Sequence, residues 1–286
     1  MLFVLPASLF IFVFMLYPLL HSGYLSFTEY NFVYDESPRF VGLDNYTSAF
    51  QDAQFLTSLR NTLVYAIFYF TLVTGASFGL ALLLFRKLRL SSFYRSAIFM
   101  PIVVPLSLAG LIFVWILQPN YGLLNHVLGN VLGLEGLTRA WLSSGGTAMA
   151  AVVGLSLWAT VGFMTILFLS GLQAIPQEVL EAAEMDGASG WRRTLYIVMP
   201  NLRPTFVIAG TWAILQALKV FVEPMVLTDG GPGTSTLVLY QQVYLTAFSF
   251  YEMGYASAMG YILGVIILAF IGLNYFVTMR KAGKRA

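Results

Sequence analysis

Residues 62–85 read TLVYAIFYFTLVTGASFGLALLLF, without a single charged side chain, and Arg86, Lys87 and Arg89 follow at once. A helix needs about 20 mostly apolar residues to cross the hydrocarbon core of a bilayer, and this stretch is long enough. The composition of the whole chain points the same way. Of 286 residues, 58% are hydrophobic and only 10% are charged, where a soluble domain carries about 25% charged residues. So few charges do not solvate a soluble surface of this size, so lipid must cover much of the chain.

The same pattern recurs on either side. Leu2–Leu20, Ala97–Leu117, Ala148–Leu169 and Met253–Met279 are also free of charge, and Phe206–Leu227 carries only Lys219 and Glu223. The expectation is an all-α membrane protein with about six transmembrane helices, forming a single domain over residues 1–286. The first segment lacks a basic start and a clear small-residue cleavage site, so it reads as a retained helix and not as a signal peptide.

Basic residues set the expected orientation. Arg86, Lys87, Arg89 and Arg95 follow the second span, Arg192, Arg193 and Arg203 follow the fourth, and Arg280, Lys281, Lys284 and Arg285 form the tail. These are most of the 15 Lys and Arg residues, whereas the alternate loops hold only Arg39, Arg60 and Arg139. Six spans with this bias place both termini on the cytoplasmic side. Residues 22–61 then form an extracytoplasmic cap, with short helices expected around Asn45–Arg60.

Other classes are disfavoured by what the sequence contains. A net charge of +2 gives no nucleic-acid footprint, and with no cysteine there is no disulfide, thiol catalysis or Cys-based metal site. His21 and His126 are isolated, so no metal and no catalytic residue is assigned. A polytopic enzyme should gather carboxylates or histidines inside its spans, and the sequence shows no such set.

The inside loop between spans four and five, Pro176–Pro204, reads PQEVLEAAEMDGASGWRRTLYIVMPNLRP. Pro176 suits a helix start. Acids near that start complement the helix dipole, and Val179, Ala182, Ala183 and Met185 form an apolar stripe. Gly187 can end the helix in the left-handed conformation. Ser189 can cap a second helix through Trp191 to Met199, which Pro200 interrupts. Two short helices meeting at a sharp bend are therefore expected, either as a docking element for another protein or as an interfacial loop.

Glu181-Ala182-Ala183, Gly187, Ile197, Met199 and Pro200, at this spacing, resemble the EAA loop of ABC importer permeases, with Met199 where the family has Leu. Phe40–Tyr46, Leu172–Pro176 and Leu227–Thr234 resemble the carbohydrate-uptake branch, the MalF/UgpA-like permeases, whose members are binding-protein-dependent transport inner membrane components. The resemblance covers nearly the whole chain and implies a type I importer (MetI-like) permease fold. It implies a coupling loop over residues 173–204, with Glu181, Ala182, Ala183, Asp186 and Gly187 at the ATPase. It also implies a prokaryotic inner (plasma) membrane location and four partners besides the bilayer: a second homologous permease, two ATP-binding subunits and an extracytoplasmic substrate-binding protein. ATP and Mg belong to the partners, for the chain has no GxxxxGK[ST] phosphate loop.

Lys219 is the costliest residue in the sequence, since a lysine at mid-membrane costs roughly 2.5–3.5 kcal/mol on insertion scales. With Gln216 it either lines a pathway, or it pairs with Glu223 four residues on. The resemblance places Ala159, Thr160 and Phe163, with Gln216 and Val220, at substrate-contacting depth; Trp158 is a further aromatic there, and any of these aromatics also suits plain packing. A carbohydrate is the implied substrate, and a glycerol phosphate or phosphodiester is the alternative, with Lys219 neutralising the phosphate. Pro101, Pro105 and Pro204 predict kinks, and Asp229–Thr234 reads as a tight outward turn where a binding protein can dock.

Overall fold

The structure, a computed structural model, describes residues 4–86 and 89–280. Lys87, Lys281, Lys284 and Arg285, on which part of the expected orientation rests, lie outside the described residues, as does Leu2. Among those described, four helices are long and apolar enough to cross a membrane unbroken: Leu5–Leu25, Ala53–Phe85, Gly145–Gln173 and Met253–Thr278.

Two expected spans are broken. The third is a bent pair, Ser91–Val103 and Leu106–Ile116, turned through 97°. Val104 is extended and Pro105 occupies the N-cap of the second half. A proline disfavours helical backbone at the residue before it and offers no N–H to the preceding turn, so the helix stops and restarts here. The fifth expected span, Phe206–Leu227, is not one helix. Arg203–Leu218 ends at Lys219, and a short helix Val222–Leu227 follows. Pro224 accounts for the break, because in a continuous helix its ring would collide with the carbonyl of Val220 and leave it without a donor. Six expected spans thus correspond to four unbroken helices, one bent pair and one divided segment.

The chain separates into two compact units, Met1–Thr62 with Leu237–Ile266, and Leu63–Thr236 with Ile267–Ala286. In the first unit, Thr28–Glu29 pairs antiparallel with Arg39–Phe40, with Thr28 opposite Phe40. The Arg39 guanidinium pairs with Glu29 on the exposed surface of this ribbon. Asn45, at the start of the short helix Asp44–Ala49, donates to the carbonyls of Ser26 at 3.0 Å and Thr28 at 2.8 Å. The Phe40–Tyr46 stretch is thereby stapled to the end of the first helix. Tyr46 completes the staple through its hydroxyl, 2.7 Å from Ser26 Oγ. Helices do cover the stretch around Asn45–Arg60: Asp44–Ala49, then the long helix that starts at Ala53, where Asp52 Oδ1 accepts from Gln54 N at 2.8 Å.

A helix not read from the sequence, Leu239–Phe248, buries Gln241 and Gln242 and exposes Tyr240, Tyr244 and Phe248. Gln54 Nε2 donates to Gln242 Oε1 at 3.0 Å, and Leu239 N donates to Thr62 Oγ1 at 2.8 Å. Buried polar atoms need such partners.

In the second unit, Phe78, Phe168 and Phe206 form an aromatic core with ring centroids 4.9 to 5.6 Å apart. Gly162 lets the long helix Gly145–Gln173 approach the Ser91–Phe99 helix until a side chain no longer fits. A Cβ at Gly162 would lie 1.9 Å from the carbonyl oxygen of Ile98. Close approach at small residues is how helices associate in lipid, where apolar burial gives no drive.

Candidate functional site

The loop after Gly145–Gln173 folds as two short helices with a bend between them. Pro176 is the N-cap of Gln177–Met185, one position earlier than a first-turn proline. The helix ends at Asp186, and three hydrogen bonds close it: Asp186 N to Ala182 O at 3.0 Å, Gly187 N to Glu184 O at 3.0 Å, and Ala188 N to Ala183 O at 2.9 Å. This is a Schellman motif. Its left-handed position is Gly187, with φ +77° and open space where a side chain would be. Glycine is needed there for its backbone and not for packing.

The faces of this helix differ from the expected stripe. Leu180 and Ala183 are buried, whereas Val179, Ala182 and Met185 face outward, Met185 being 89% exposed. Glu181 is exposed and accepts from Gln177 Nε2 at 2.9 Å. Asp186 is exposed at the bend. Glu184 forms an ion pair with Arg193 across the bend.

The second helix starts at Gly190, where Ser189 holds the N-cap backbone position but makes no side-chain cap bond. Pro200 does not end it. A π-helical turn, Thr194–Val198, leads into Met199–Asn201, and the bend comes at Leu202. Trp191 and Tyr196 are each 67% exposed. The loop therefore leaves Val179, Ala182, Met185, Trp191 and Tyr196 exposed, with Glu178 and Glu181 exposed beside them.

The six residues expected along a pathway, Ala159, Thr160, Phe163, Gln216, Lys219 and Val220, differ in exposure. Thr160 is committed to its neighbours, donating to Ser156 O at 2.6 Å and accepting from the Tyr69 hydroxyl at 3.1 Å. Val220 is buried in the break after Lys219, and Ala159 is buried as well. Gln216 and Lys219 are exposed on the helix Arg203–Leu218 and at its C-cap. Phe163 lies against Trp212, ring centroids 4.9 Å apart. Trp158 lies on Phe113, ring centroids 5.6 Å apart, and remains partly exposed.

The Lys219–Glu223 pair is not formed. Glu223 Oε1 accepts from Ser156 Oγ at 2.9 Å, and Ser156 Oγ accepts from the Tyr65 hydroxyl at 2.7 Å. Trp212 belongs with Gln216 and Lys219, and sequence reading overlooked it. The three stand at i, i+4 and i+7 and so share one helix face, a spacing that was there to be counted.

The profile of the family described as binding-protein-dependent transport system inner membrane component matches residues 71–282. The chain belongs to this family. It is similar to the sulfoquinovosyl glycerol transport permease SmoG of Agrobacterium fabrum, 37% identical over 90% of this chain and 83% of SmoG. It is also similar to the diacetylchitobiose uptake permease NgcF of Streptomyces coelicolor, 35% identical over 97% of this chain and 81% of NgcF. Among solved structures, its fold matches a chain of a bacterial alginate ABC transporter in complex with an alginate pentasaccharide-bound periplasmic protein. That match has a TM-score of 0.82 at 20% identity, covering 97% of this chain and 93% of the other. As an inner membrane component of this family, the chain is a multi-pass transport subunit with the ABC importer permease fold.

Proposed function

We propose that this chain forms half of the membrane pathway of an ATP-driven importer of a sugar or oligosaccharide, with a second homologous permease as the other half. Two ATP-binding subunits, which hold the ATP and Mg, dock on residues 173–204. An extracytoplasmic binding protein delivers the saccharide to the face bearing residues 22–61, and both termini lie in the cytoplasm. The observation that carries this reading is the Gln177–Met185 helix, which turns its exposed Glu181, Ala182 and Met185 outward and is closed by a left-handed Gly187. A helix so closed is a stiff lever, and a partner that moves it moves the spans on either side. Alternating access then follows from rocking one helix bundle against the other. The saccharide assignment draws on the substrates named for SmoG and NgcF.

A phosphorylated substrate is the second reading, favoured by the exposed side chain of Lys219, which makes no ion pair among the described residues.

The test is uptake by the complete importer in proteoliposomes. Glu181→Lys and Gly187→Pro should each abolish uptake while the importer still assembles, and normal uptake in both would sink the docking role. Orientation is read from single cysteines in this cysteine-free chain. An impermeant thiol reagent applied to intact cells should label Tyr34→Cys and spare Glu178→Cys.

A further inference from the structure

We propose that the helix Leu239–Phe248 and the start of the last span hold an ordered phospholipid, with one acyl chain in a groove between them and the headgroup end beside Tyr240 and Tyr244.

The short helix is inside-out for one that faces water. Gln241, Gln242 and Thr246 are buried, whereas Tyr240, Tyr244 and Phe248 are exposed. From Gly230 to Tyr251 the chain carries no charged side chain, so this face has nothing to set against a charged partner. Tyrosine, with an apolar ring and a polar tip, is enriched where a bilayer meets water. The backbone puts the helix at that level. Glu252 N donates to Thr246 O at 3.0 Å, which ties the last turn of the helix to the start of Met253–Thr278. That span has 26 residues and is about 39 Å long, against a hydrocarbon core of about 30 Å. Its first residues therefore lie at the edge of the core.

The groove opens beside the tyrosines. It measures about 350 Å³, and Leu19, Val243, Ala247, Ala256, Gly260 and Gly264 line it, all within the first unit. Val243 and Ala247 stand three positions after Tyr240 and Tyr244, so they share that side of the helix. The polar atoms of the wall are engaged within it: Ser22 Oγ donates to Leu19 O at 2.9 Å, and the Tyr261 hydroxyl donates to the same carbonyl at 2.6 Å. An apolar occupant is what such a wall accepts without leaving a donor or acceptor unmade. A Cβ at Gly260 or at Gly264 would meet nothing within 4 Å, so both glycines face open space. Size decides between a lipid chain and a protein helix. One turn of α-helix, 5.4 Å long and about 10 Å across, occupies about 420 Å³, more than the whole groove. A row of methylenes fits, and its ester and headgroup end then reaches the tyrosine hydroxyls, which donate and accept.

The experiment puts the complete importer in nanodiscs containing phosphatidylglycerol with a diazirine and an alkyne on one acyl chain. After irradiation, the tagged peptides are mapped by mass spectrometry. Tagging should concentrate within residues 239–264 and fall at least fivefold in Gly260→Phe, whose ring enters the groove where a Cβ meets no neighbour. Gly272→Phe, on the same helix and equally open, should leave the tagging of residues 239–264 unchanged. Tyr240→Ala with Tyr244→Ala should lower it at least threefold. Tagging no denser at residues 239–264 than along the exposed first helix overturns the proposal. So does tagging that persists in Gly260→Phe, ignores the tyrosine change, or falls equally in Gly272→Phe. A Gly260→Phe importer that loses its second permease on purification also overturns it, since the groove then holds a protein helix. None of these outcomes depends on which substrate is carried.

Discussion

Ser156 Oγ donates to Glu223 Oε1 across 2.9 Å, joining the long helix Gly145–Gln173 to the short helix Val222–Leu227. The Tyr65 hydroxyl donates to the same Ser156 oxygen at 2.7 Å, and the Tyr65 and Tyr69 rings stack at 5.6 Å. The carboxylate that sequence spacing offered to Lys219 is therefore spent inside the bundle. Removing the serine hydroxyl takes the acceptor from the buried Tyr65 hydroxyl and one donor from Glu223, and a buried polar group left unpaired costs about 1–3 kcal/mol. Ser156→Ala should lower the thermal unfolding midpoint of the purified permease, measured in detergent. The double variant Ser156→Ala with Glu223→Leu should cost less than the two single changes added together, because both ends of one interaction are removed.

Gly162 makes a sharper test of packing. The atoms that an added Cβ would meet are backbone, Ile98 O at 1.9 Å and Ile98 C at 2.6 Å, so no side chain can swing aside. Gly162→Ala should destabilise by about 1–3 kcal/mol, as overpacked cores do, and should lower the unfolding midpoint. Gly154 lies on the same helix with open space around it. Gly154→Ala should hold or raise the midpoint, since alanine gains up to about 1 kcal/mol over glycine in a helix interior. Equal effects at both positions would refute the close approach.

What the sequence made legible, and what it hid, divides along one physical line. Apolar windows report membrane depth directly, so Thr62–Phe85, within the helix Ala53–Phe85, and Ala148–Leu169, within Gly145–Gln173, were readable from composition alone. Pro101 and Pro105 announced a kink, and the structure sharpens it to a 97° bend. The break at Lys219–Phe221 passed unnoticed because hydropathy does not register the clash between the Pro224 ring and the Val220 carbonyl. The helix Leu239–Phe248 was missed for the opposite reason. Its glutamines point inward and its tyrosines outward, an inverted pattern that makes sense only once Gln54, distant in sequence, is beside Gln242. In the candidate site, the EAA spacing located the Gly187 bend, and the Trp212–Gln216–Lys219 spacing was countable. Glu223 choosing Ser156 over Lys219 was not, because that choice depends on how the helices pack.

The N-terminal helix Leu5–Leu25 supports a further prediction. Its most apolar 18-residue window has no buried residue, so few contacts hold it within its unit. Tyr261 supplies one, donating to Leu19 O at 2.6 Å, and a Cβ at Gly23 would lie 2.7 Å from the same hydroxyl. Cross-helix hydrogen bonds in membranes average about 0.6 kcal/mol, so Tyr261→Phe should lower the unfolding midpoint only slightly. Gly23→Leu, which must displace the Tyr261 ring end as well as break its hydrogen bond, should lower it more.

Gly187 separates folding from coupling. A residue with a Cβ held in the left-handed conformation costs about 1–2 kcal/mol, and asparagine less, because its short polar side chain bonds locally. With nothing near Gly187 to collide with, a larger residue there acts only through the backbone, and the bend should open before the bundle does. In the proteoliposome assay, uptake should fall in the order Gly187→Asn, Gly187→Ala, Gly187→Val, with the unfolding midpoint nearly constant across the series. The Glu184–Arg193 ion pair spans the same bend but is exposed on the Glu184 side, where such pairs contribute about 0–1 kcal/mol. Exchanging the charges, Glu184→Arg with Arg193→Glu, should therefore leave uptake within about twofold of the parent. A swap that silences transport as thoroughly as Gly187→Val would transfer the bend's stiffness from the glycine backbone to the ion pair.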